Sequence, residues 1–244
     1  MDWILADGIV APEGSEQLFS ERVYRLPHAV FCYAPEEDYP LSEDTDTQKP
    51  SDRPITFGSF NNVPKLTPHT LTLWADILRA IPGSRLLLKA PSFKDDTAQR
   101  AFQDRLGALG VDLARIEFRG PSALTEMMSE YRDIDIALDP VPYNGGTTTL
   151  QALWMGVPVV VKAGGNFVSR MGASLMTGAG LSDWIAQSDE DYVAIACRIA
   201  EDREKLPRLK KNLRSPLGLQ PAWNIAAYTR DFENALIEMW ESSR

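Results

Sequence analysis

The sequence predicts an α/β fold with a Rossmann-like parallel sheet, preceded by a short N-terminal segment. From Ile55 onward, short apolar runs alternate with segments of helical periodicity, which is the arrangement of βαβ units. The chain has 244 residues, of which 44% are hydrophobic and 24% charged. That composition is ordinary for a globular protein and excludes disordered, collagen-like and coiled-coil classes.

Five apolar runs are the predicted strands of this sheet. Each is short, and each is followed by turn residues or by a segment with helical spacing. They are Ile55–Phe60, Arg85–Lys89, Arg115–Phe118, Ile134–Leu138 and Pro158–Val161.

The helices between these strands are predicted from apolar periodicity and capping residues. The first has the clearest signals, because Thr67 can cap it, Pro68 suits its first position, and Leu71, Trp74 and Ile77 recur at helical spacing. Further helices are predicted near Asp95–Leu109, Leu124–Tyr131, Thr147–Met155, Glu190–Arg203 and Trp223–Trp240.

The N-terminal segment is predicted to be separate from the sheet. Residues 36–52 carry seven acidic side chains against one lysine, together with prolines, which is typical of a solvated linker. We therefore expect an N-terminal piece over 1–54 and a larger unit over 55–244. The alternative is an acidic surface loop within one domain. Trp3–Ala6 is a predicted strand, Ser15–Glu21 a short helix and Ala29–Tyr33 an extended stretch.

Charge and residue usage exclude several classes of function. The net charge of −9 argues against binding nucleic acid or an anionic membrane through bulk charge. The apolar runs are too short to span a bilayer, so we expect a cytoplasmic protein. Cys32 and Cys197, with His28 and His69, lack the spacing of a zinc site, and the cysteines are expected in the core. Neither histidine suggests a hydrolytic triad.

One segment has the features of an anion site. Ligands of open parallel sheets bind outside the carboxyl ends of the strands, where helix N-termini offer unpaired N–H groups. After the strand that ends at Leu138, Gly145 and Gly146 allow close backbone approach, and Thr147 and Thr148 add hydroxyl donors. This pattern suits a phosphate or diphosphate. The alternative is that these residues merely turn the chain and cap a helix.

Other polar residues are expected at the same edge of the sheet. Lys65 follows the first strand, so its ammonium could neutralise a phosphate, and Asn62 could meet a phosphate or a sugar hydroxyl. Alternatively, both side chains are solvated or cap the helix that begins after Thr67. Gln151 could face a ribose or the solvent, and Arg170 a ligand or a surface ion pair.

Three ordered motifs resemble one known family. They are FGSFNNVPKL at Phe57–Leu66, the stretch Ile136–Val161 that contains YNGGTTTLQ, and SRMGASLMTG within Ser169–Ser188. The chain is similar to the C-terminal half of the O-linked N-acetylglucosamine transferases and Spindly-type glycosyltransferases, glycosyltransferase family 41. The resemblance implies a GT-B fold, in which this chain would be the C-terminal lobe that holds most of a nucleotide sugar.

The resemblance also implies roles for individual residues. Asn62 occupies the position of a family glutamine near the diphosphate, and Lys65 that of the phosphate-contacting lysine, which would act in catalysis. Thr147 and Thr148 match the threonines whose helix N-terminus holds the diphosphate, after Gly145 and Gly146. Gln151 lies where an acidic residue usually meets the ribose.

Four positions depart from the pattern of the animal transferases. Gly146 stands where they have histidine, and Gln151 replaces the acid. Met127 and Glu130 stand where they have a histidine and an arginine around the base. An amide at 151 can still donate and accept hydrogen bonds.

The implied activity is transfer of N-acetylglucosamine from UDP-N-acetylglucosamine to Ser or Thr of a protein acceptor, with no metal ion. In the family, an N-terminal lobe and tetratricopeptide repeats precede the region that this chain matches. Two alternatives stay open: a truncated nucleotide-sugar binding module that is inactive alone, and a Spindly-like enzyme that uses GDP-fucose.

Overall fold

The computed structural model describes residues 2–35, 39, 53–217 and 220–243. Within those ranges the chain forms eight strands and eight α-helices. The strands are β1 (Trp3–Asp7), β2 (Arg22–Leu26), β3 (Thr56–Ser59), β4 (Arg85–Lys89), β5 (Ile116–Arg119), β6 (Ile136–Leu138), β7 (Val159–Lys162) and β8 (Ile185–Ala186). The helices are α1 (Pro68–Ala80), α2 (Asp96–Ala108), α3 (Leu124–Glu130), α4 (Thr147–Trp154), α5 (Met171–Gly178), α6 (Asp189–Glu201), α7 (Leu206–Leu217) and α8 (Ile225–Glu241).

Strands β3 to β8 form one parallel sheet in the order β5-β4-β3-β6-β7-β8. The chain starts in the middle with β3, adds β4 and β5 on one side, and then crosses to add β6, β7 and β8 on the other. The order therefore reverses between β3 and β6, and ligands of doubly wound sheets bind outside the carboxyl ends of the strands at such a point. The predicted Rossmann-like parallel sheet is confirmed.

Helices cover both faces of this sheet, as an all-parallel sheet requires. Leu86 and Leu88 of β4 point into one apolar layer, which includes Trp74 of α1. Leu87, between them, points into the other layer with Leu153 of α4. All five side chains are at most 1% exposed. Central strands with alternating burial on two apolar faces are fixed in register, which positions the loops at their carboxyl ends.

The clearest sequence signals give the most accurate boundaries. β4 spans the predicted residues, and α1 begins at Pro68 with the Thr67 side chain accepting a hydrogen bond from the N–H of Thr70. The other predicted strands and helices from Ile55 onward are present with ends shifted by a few residues. The predicted N-terminal helix is reduced to a 3-10 turn at Glu16–Leu18.

The prediction of an extended stretch at Ala29–Tyr33 yields no strand. Its main-chain groups bind elsewhere instead of pairing with a strand: the N–H of Val30 donates to Asp7, and the N–H of Tyr33 donates to the carbonyl of Ala222. The expectation that the cysteines lie in the core is also wrong, because Cys32 and Cys197 are free thiols of intermediate burial.

Four elements have no counterpart in the prediction. β2 (RVYRL) has five residues without strict apolar–polar alternation, and β8 has two residues. α5 consists largely of small residues with a glycine at each end of its apolar stretch, and α7 has a proline in its first turn and another near its end. Short length, small side chains and proline all weaken the periodic signal.

The N-terminal segment packs onto the larger unit. β1 pairs with β2 in a separate two-stranded parallel sheet, and α8 packs against β2, with Tyr24 donating to Glu238 at 2.8 Å. The buried Asp7 accepts a hydrogen bond from Ser174 of α5 at 2.5 Å. The predicted acidic linker lies outside the described residues except for Tyr39. The division into 1–54 and 55–244 stays a prediction.

Candidate functional site

The candidate site lies at the carboxyl ends of β3 and β6, where the strand order reverses. We define it as Lys65 together with Gly145–Thr148. A 3-10 turn at Val63–Lys65 follows β3 and ends in Lys65. A loop over 139–146 follows β6 and leads into α4.

Lys65 points at the loop that precedes α4. Its Nζ donates to the main-chain oxygen of Asn144 at 2.7 Å and lies 4.2 Å from the centre of the Tyr143 ring. Burial lowers the pKa of Lys65, while the negative charge of Asp139 acts to raise it. Lys65 is therefore neither solvated nor a cap of α1, which Thr67 caps. Lys65 therefore contacts the loop that leads into α4, and its role in binding a ligand stays a prediction.

Hydroxyl groups at the start of α1 hold the loop in place. Thr70, which is fully buried, donates from Oγ1 to the main-chain oxygen of Val141 at 2.6 Å and accepts from its N–H at 3.0 Å. Thr67 donates to the same oxygen at 2.6 Å. Because both threonines belong to a capped helix, the loop has little freedom to move.

Two buried polar residues, Asp139 and Asn144, organise the interior of the loop. Asn144 is completely buried; its Oδ1 accepts from the N–H of Gly172 at 3.1 Å, and its Nδ2 donates to the oxygen of Pro140 at 3.1 Å. Both oxygens of Asp139 accept from the N–H of Gly145, at 2.9 and 3.0 Å. Neither residue stood out in the sequence, although both belong to the motif that carries the resemblance.

The start of α4 leaves main-chain donors unpaired. Gly146 is the N-cap residue and offers no side chain to the first turn. In the described part of the chain, the N–H groups of Gly146, Thr147 and Thr148 have no hydrogen-bond acceptor. Thr147 is exposed, and Thr148 is partly buried. Unpaired donors at a helix N-terminus carry a partial positive charge and attract anions.

The amide side chains near the site differ in burial: Asn62 is exposed, whereas Asn61 and Gln151 are buried. Asn62 is exposed at the start of the 3-10 turn, whereas its neighbour Asn61 is buried and accepts a hydrogen bond from Thr148 Oγ1 at 2.9 Å. Gln151 is 8% exposed, so the alternative in which it faces the solvent is wrong. Spacing alone could not distinguish Asn61 from Asn62.

The next loop along the sheet edge is held by its own contacts. Arg170 donates from Nε to the oxygen of Gly164 at 2.8 Å, and it forms no ion pair with any other described residue. Lys162, at the end of β7, pairs with Asp189 at 2.7 Å, and His69 binds the same carboxylate at 2.9 Å. Arg170 therefore stabilises the loop through a main-chain contact.

An ion pair lies at the end of β4, near the positions that the resemblance assigns to the surroundings of the nucleotide base. Lys89 is 6% exposed and pairs with Glu130 at 2.7 Å, and Ser122 donates to the same carboxylate. Burial acts to raise the pKa of Glu130, but its hydrogen bonds with Lys89, Ser122 and Arg119 hold the pKa below its ordinary value. Met127 lies partly buried on the same helix.

The geometry suits an anion with several oxygens. An ammonium from the turn after β3 and unpaired N–H groups from the start of α4 reach the same edge from two sides. Such preorganised donors stabilise negative charge that develops during a reaction. Within the described ranges, no group of three or more His, Cys, Asp or Glu side chains is placed to hold a metal ion, and no helix is long and apolar enough to cross a membrane.

Comparisons with known proteins identify the family. The profile described as "Glycosyl transferase family 41" matches residues 35–232. A probable UDP-N-acetylglucosamine–peptide N-acetylglucosaminyltransferase SPINDLY of Hordeum vulgare is 35% identical over 98% of this chain, and that of Arabidopsis thaliana is 35% identical over 99%. The chain spans 25% and 26% of the length of these two relatives.

Solved structures agree with this assignment. An O-GlcNAc transferase mutant of Thermobaculum terrenum superimposes with a TM-score of 0.90 and 35% identity over 99% of this chain, which covers 45% of that structure. A sucrose-phosphate synthase of Thermosynechococcus elongatus matches with a TM-score of 0.59 and 16% identity, which supports the GT-B fold alone. The chain belongs to glycosyl transferase family 41.

Proposed function

We propose that this chain is the donor-binding half of a protein O-glycosyltransferase, and that it transfers N-acetylglucosamine from UDP-N-acetylglucosamine to Ser or Thr of a protein acceptor. One observation carries the proposal: the Lys65 ammonium and the unpaired N–H groups at the start of α4 meet at the sheet edge where the strand order reverses. The names of the relatives supply the donor and the class of acceptor.

In the proposed reaction, the bond between the sugar and the diphosphate breaks while the acceptor hydroxyl oxygen bonds to the sugar carbon. Negative charge accumulates on the leaving diphosphate. Lys65 acts as the catalytic residue by neutralising that charge, with the N–H groups of Thr147 and Thr148 and the hydroxyl of Thr147 as further donors. Gly145 and Gly146 allow the close approach of the diphosphate. The base that accepts the hydroxyl proton is not among these residues.

The nucleoside would extend from the diphosphate toward Gln151 and the loop after β5. Gln151 lies near the start of α4 and is 8% exposed. We propose that its amide binds the ribose after a small rearrangement that exposes it. We propose that Asn62, which is exposed in the same turn as Lys65, meets the diphosphate or the sugar. These assignments rest on position and on the family motif.

UDP-N-acetylglucosamine is favoured over the two alternatives. The names of the relatives specify that donor together with peptide transfer, so neither GDP-fucose nor a purely binding role is preferred. We also infer that the reaction needs no metal ion and takes place in the cytoplasm; both inferences come from the sequence.

We propose that a further lobe completes the enzyme. β1 and β2 form a separate two-stranded parallel sheet that packs beside α8. The neighbouring α8 exposes Leu236, Ile237 and Trp240, which are 47%, 56% and 62% exposed. These surfaces suit packing against an N-terminal lobe, with the tetratricopeptide repeats that the resemblance implies.

Calorimetric titration of the chain with UDP and with GDP tests the donor proposal. We expect UDP to bind more tightly, and a chain that binds neither nucleotide contradicts the proposal. Incubation with labelled UDP-N-acetylglucosamine and a mixed protein acceptor then tests transfer. Steady labelling supports an active enzyme, whereas UDP binding without labelling supports the role of the further lobe.

A further inference from the structure

Asp139 is a buried carboxylate that the proposed reaction does not use. It directly follows β6 and is 1% exposed. Both of its oxygens accept from the N–H of Gly145, and Oδ1 also accepts from the Thr149 hydroxyl at 3.0 Å. These two donors belong to the loop and the first turn of α4. The carboxylate therefore fixes the main chain whose unpaired N–H groups form the candidate site.

The surroundings of Asp139 leave almost no free space. A methyl group added at Gly145 would lie 2.5 Å from Oδ1, and one added at Gly172 would lie 3.0 Å from Oδ2. The carboxylate is enclosed between the starts of α4 and α5. In such an enclosed place its charge is poorly screened, so a change of charge nearby is felt strongly.

Two titratable side chains face Asp139 in the described part of the chain. Lys65 faces it from the turn after β3, and Tyr192 of α6 donates to its main-chain oxygen at 2.8 Å. α4 contributes a hydroxyl, and α5 contributes glycine backbone. Burial raises the pKa of Asp139 to about 7, and the hydrogen bonds of Gly145 and Thr149 and the charge of Lys65 oppose that rise.

We propose that Asp139 is the positioning residue of the candidate site, and that binding of the donor diphosphate places a solvent proton on its carboxylate. The inference rests on the proposed function, since it requires a diphosphate beside Lys65. The bound diphosphate adds negative charge next to Asp139 and engages the ammonium that now stabilises the carboxylate. Both effects favour the protonated form, and the proton returns to the solvent when the diphosphate leaves.

Proton uptake on binding determines how the donor affinity depends on pH. A group whose pKa rises on binding takes up protons on binding, so donor affinity falls as the pH rises above the pKa of the free form. The loss is at most about tenfold per pH unit. Because burial raises the pKa of Asp139 toward neutrality, binding near neutral pH should take up a measurable fraction of a proton per diphosphate.

Calorimetry of the 244-residue chain measures this proton directly. UDP-N-acetylglucosamine is titrated at about pH 7 in two buffers that differ in their enthalpy of protonation. Its phosphates have no proton to lose in this range, so any uptake belongs to the protein. Asp139→Asn keeps an oxygen acceptor for Gly145 and Thr149 but cannot titrate, and we expect its uptake to fall close to zero.

Lys65 cannot account for such a fall. Loss of the Asp139 charge lowers the pKa of Lys65 further, so any uptake by Lys65 would grow in Asp139→Asn. Thr149→Val is the second variant, because it keeps the carboxylate and removes a hydrogen bond that lowers its pKa. In Thr149→Val we expect the pH of maximal uptake to move upward, and an unchanged pH of maximal uptake contradicts the inference.

The outcomes separate this inference from the proposed function. Normal donor binding with equal proton uptake in the wild type and in Asp139→Asn overturns the inference and leaves the proposed function intact. A wild-type chain that binds no donor overturns both. A merely structural carboxylate would alter the unfolding midpoint of the variants without altering the number of protons taken up.

Discussion

Replacing Lys65 with methionine tests the central element of the candidate site. The substitution removes the ammonium and keeps an apolar side chain of similar length. Lys65 is partly buried and bonded to the oxygen of Asn144, so the charge is already aimed at the loop before a ligand arrives. A preorganised cation loses little side-chain entropy on binding an anion.

The size of the effect follows from this contact. Hydrogen bonds to charged groups contribute about 1.5–3 kcal/mol. We therefore expect the dissociation constant for UDP to rise about 10- to 150-fold in Lys65→Met. Because burial lowers the pKa of Lys65, the folded state disfavours its charged form, and methionine removes that cost. The unfolding midpoint of the variant should not fall.

Calorimetric titration with UDP gives the affinity, and thermal unfolding gives the stability. Lys205→Met is the matched control, since it removes the same charge from a side chain that is 68% exposed. Lys205 follows α6, which starts at the ligand edge and runs to the opposite edge of the sheet. Equal UDP affinity in Lys65→Met and Lys205→Met would refute the assignment of Lys65.

Three further predictions concern neighbouring parts of the fold. Gly145→Ala places a methyl group 2.4–2.5 Å from side-chain oxygens of Thr149 and Asp139, so it should abolish UDP binding and lower the unfolding free energy by about 1–3 kcal/mol. Gly165→Ala is the control: a methyl group there has nothing within 4 Å, so UDP affinity and unfolding free energy should both stay unchanged. Lys89→Met should cost about 1.5–3 kcal/mol in chemical denaturation, because the partly buried Glu130 loses its hydrogen bond from a charged lysine. The variant should also lose less stability as the pH falls through the lowered pKa of Glu130. Adding Glu130→Gln should restore most of the stability, and no recovery would contradict the pairing. Tyr192→Phe should cost about 1–3 kcal/mol, because it orphans a buried indole N–H; an unchanged midpoint would contradict this.

Much of the sheet can be predicted from the sequence because its signals are local. The start of α1 is encoded by two adjacent residues, Thr67 and Pro68. The apolar run of β4 is bounded by a charged residue at each end. α7 lacks such clarity, since Pro207 and Pro216 suggest breaks where the helix continues. Proline is tolerated in a first helical turn, where its missing N–H has no partner to lose.

The candidate site was predicted less completely, because its interior depends on tertiary contacts. Lys65 and the Gly145–Thr148 loop could be placed at one edge from the order of strands and helices. Asp139 and Asn144 could not, since a strand-end acid and a loop amide are equally typical of solvated positions. Their burial follows from the packing of α4 and α5 above the loop, which no local pattern encodes.

The hydrogen bond between Lys65 and Asn144 joins residues 79 positions apart in the chain. The candidate site is therefore assembled only after β3 and β6, which the sequence separates, have come together. If UDP binds only chains in which this contact has formed, it would not bind incompletely folded chains. Retention on immobilised UDP would then measure the correctly folded fraction of a preparation.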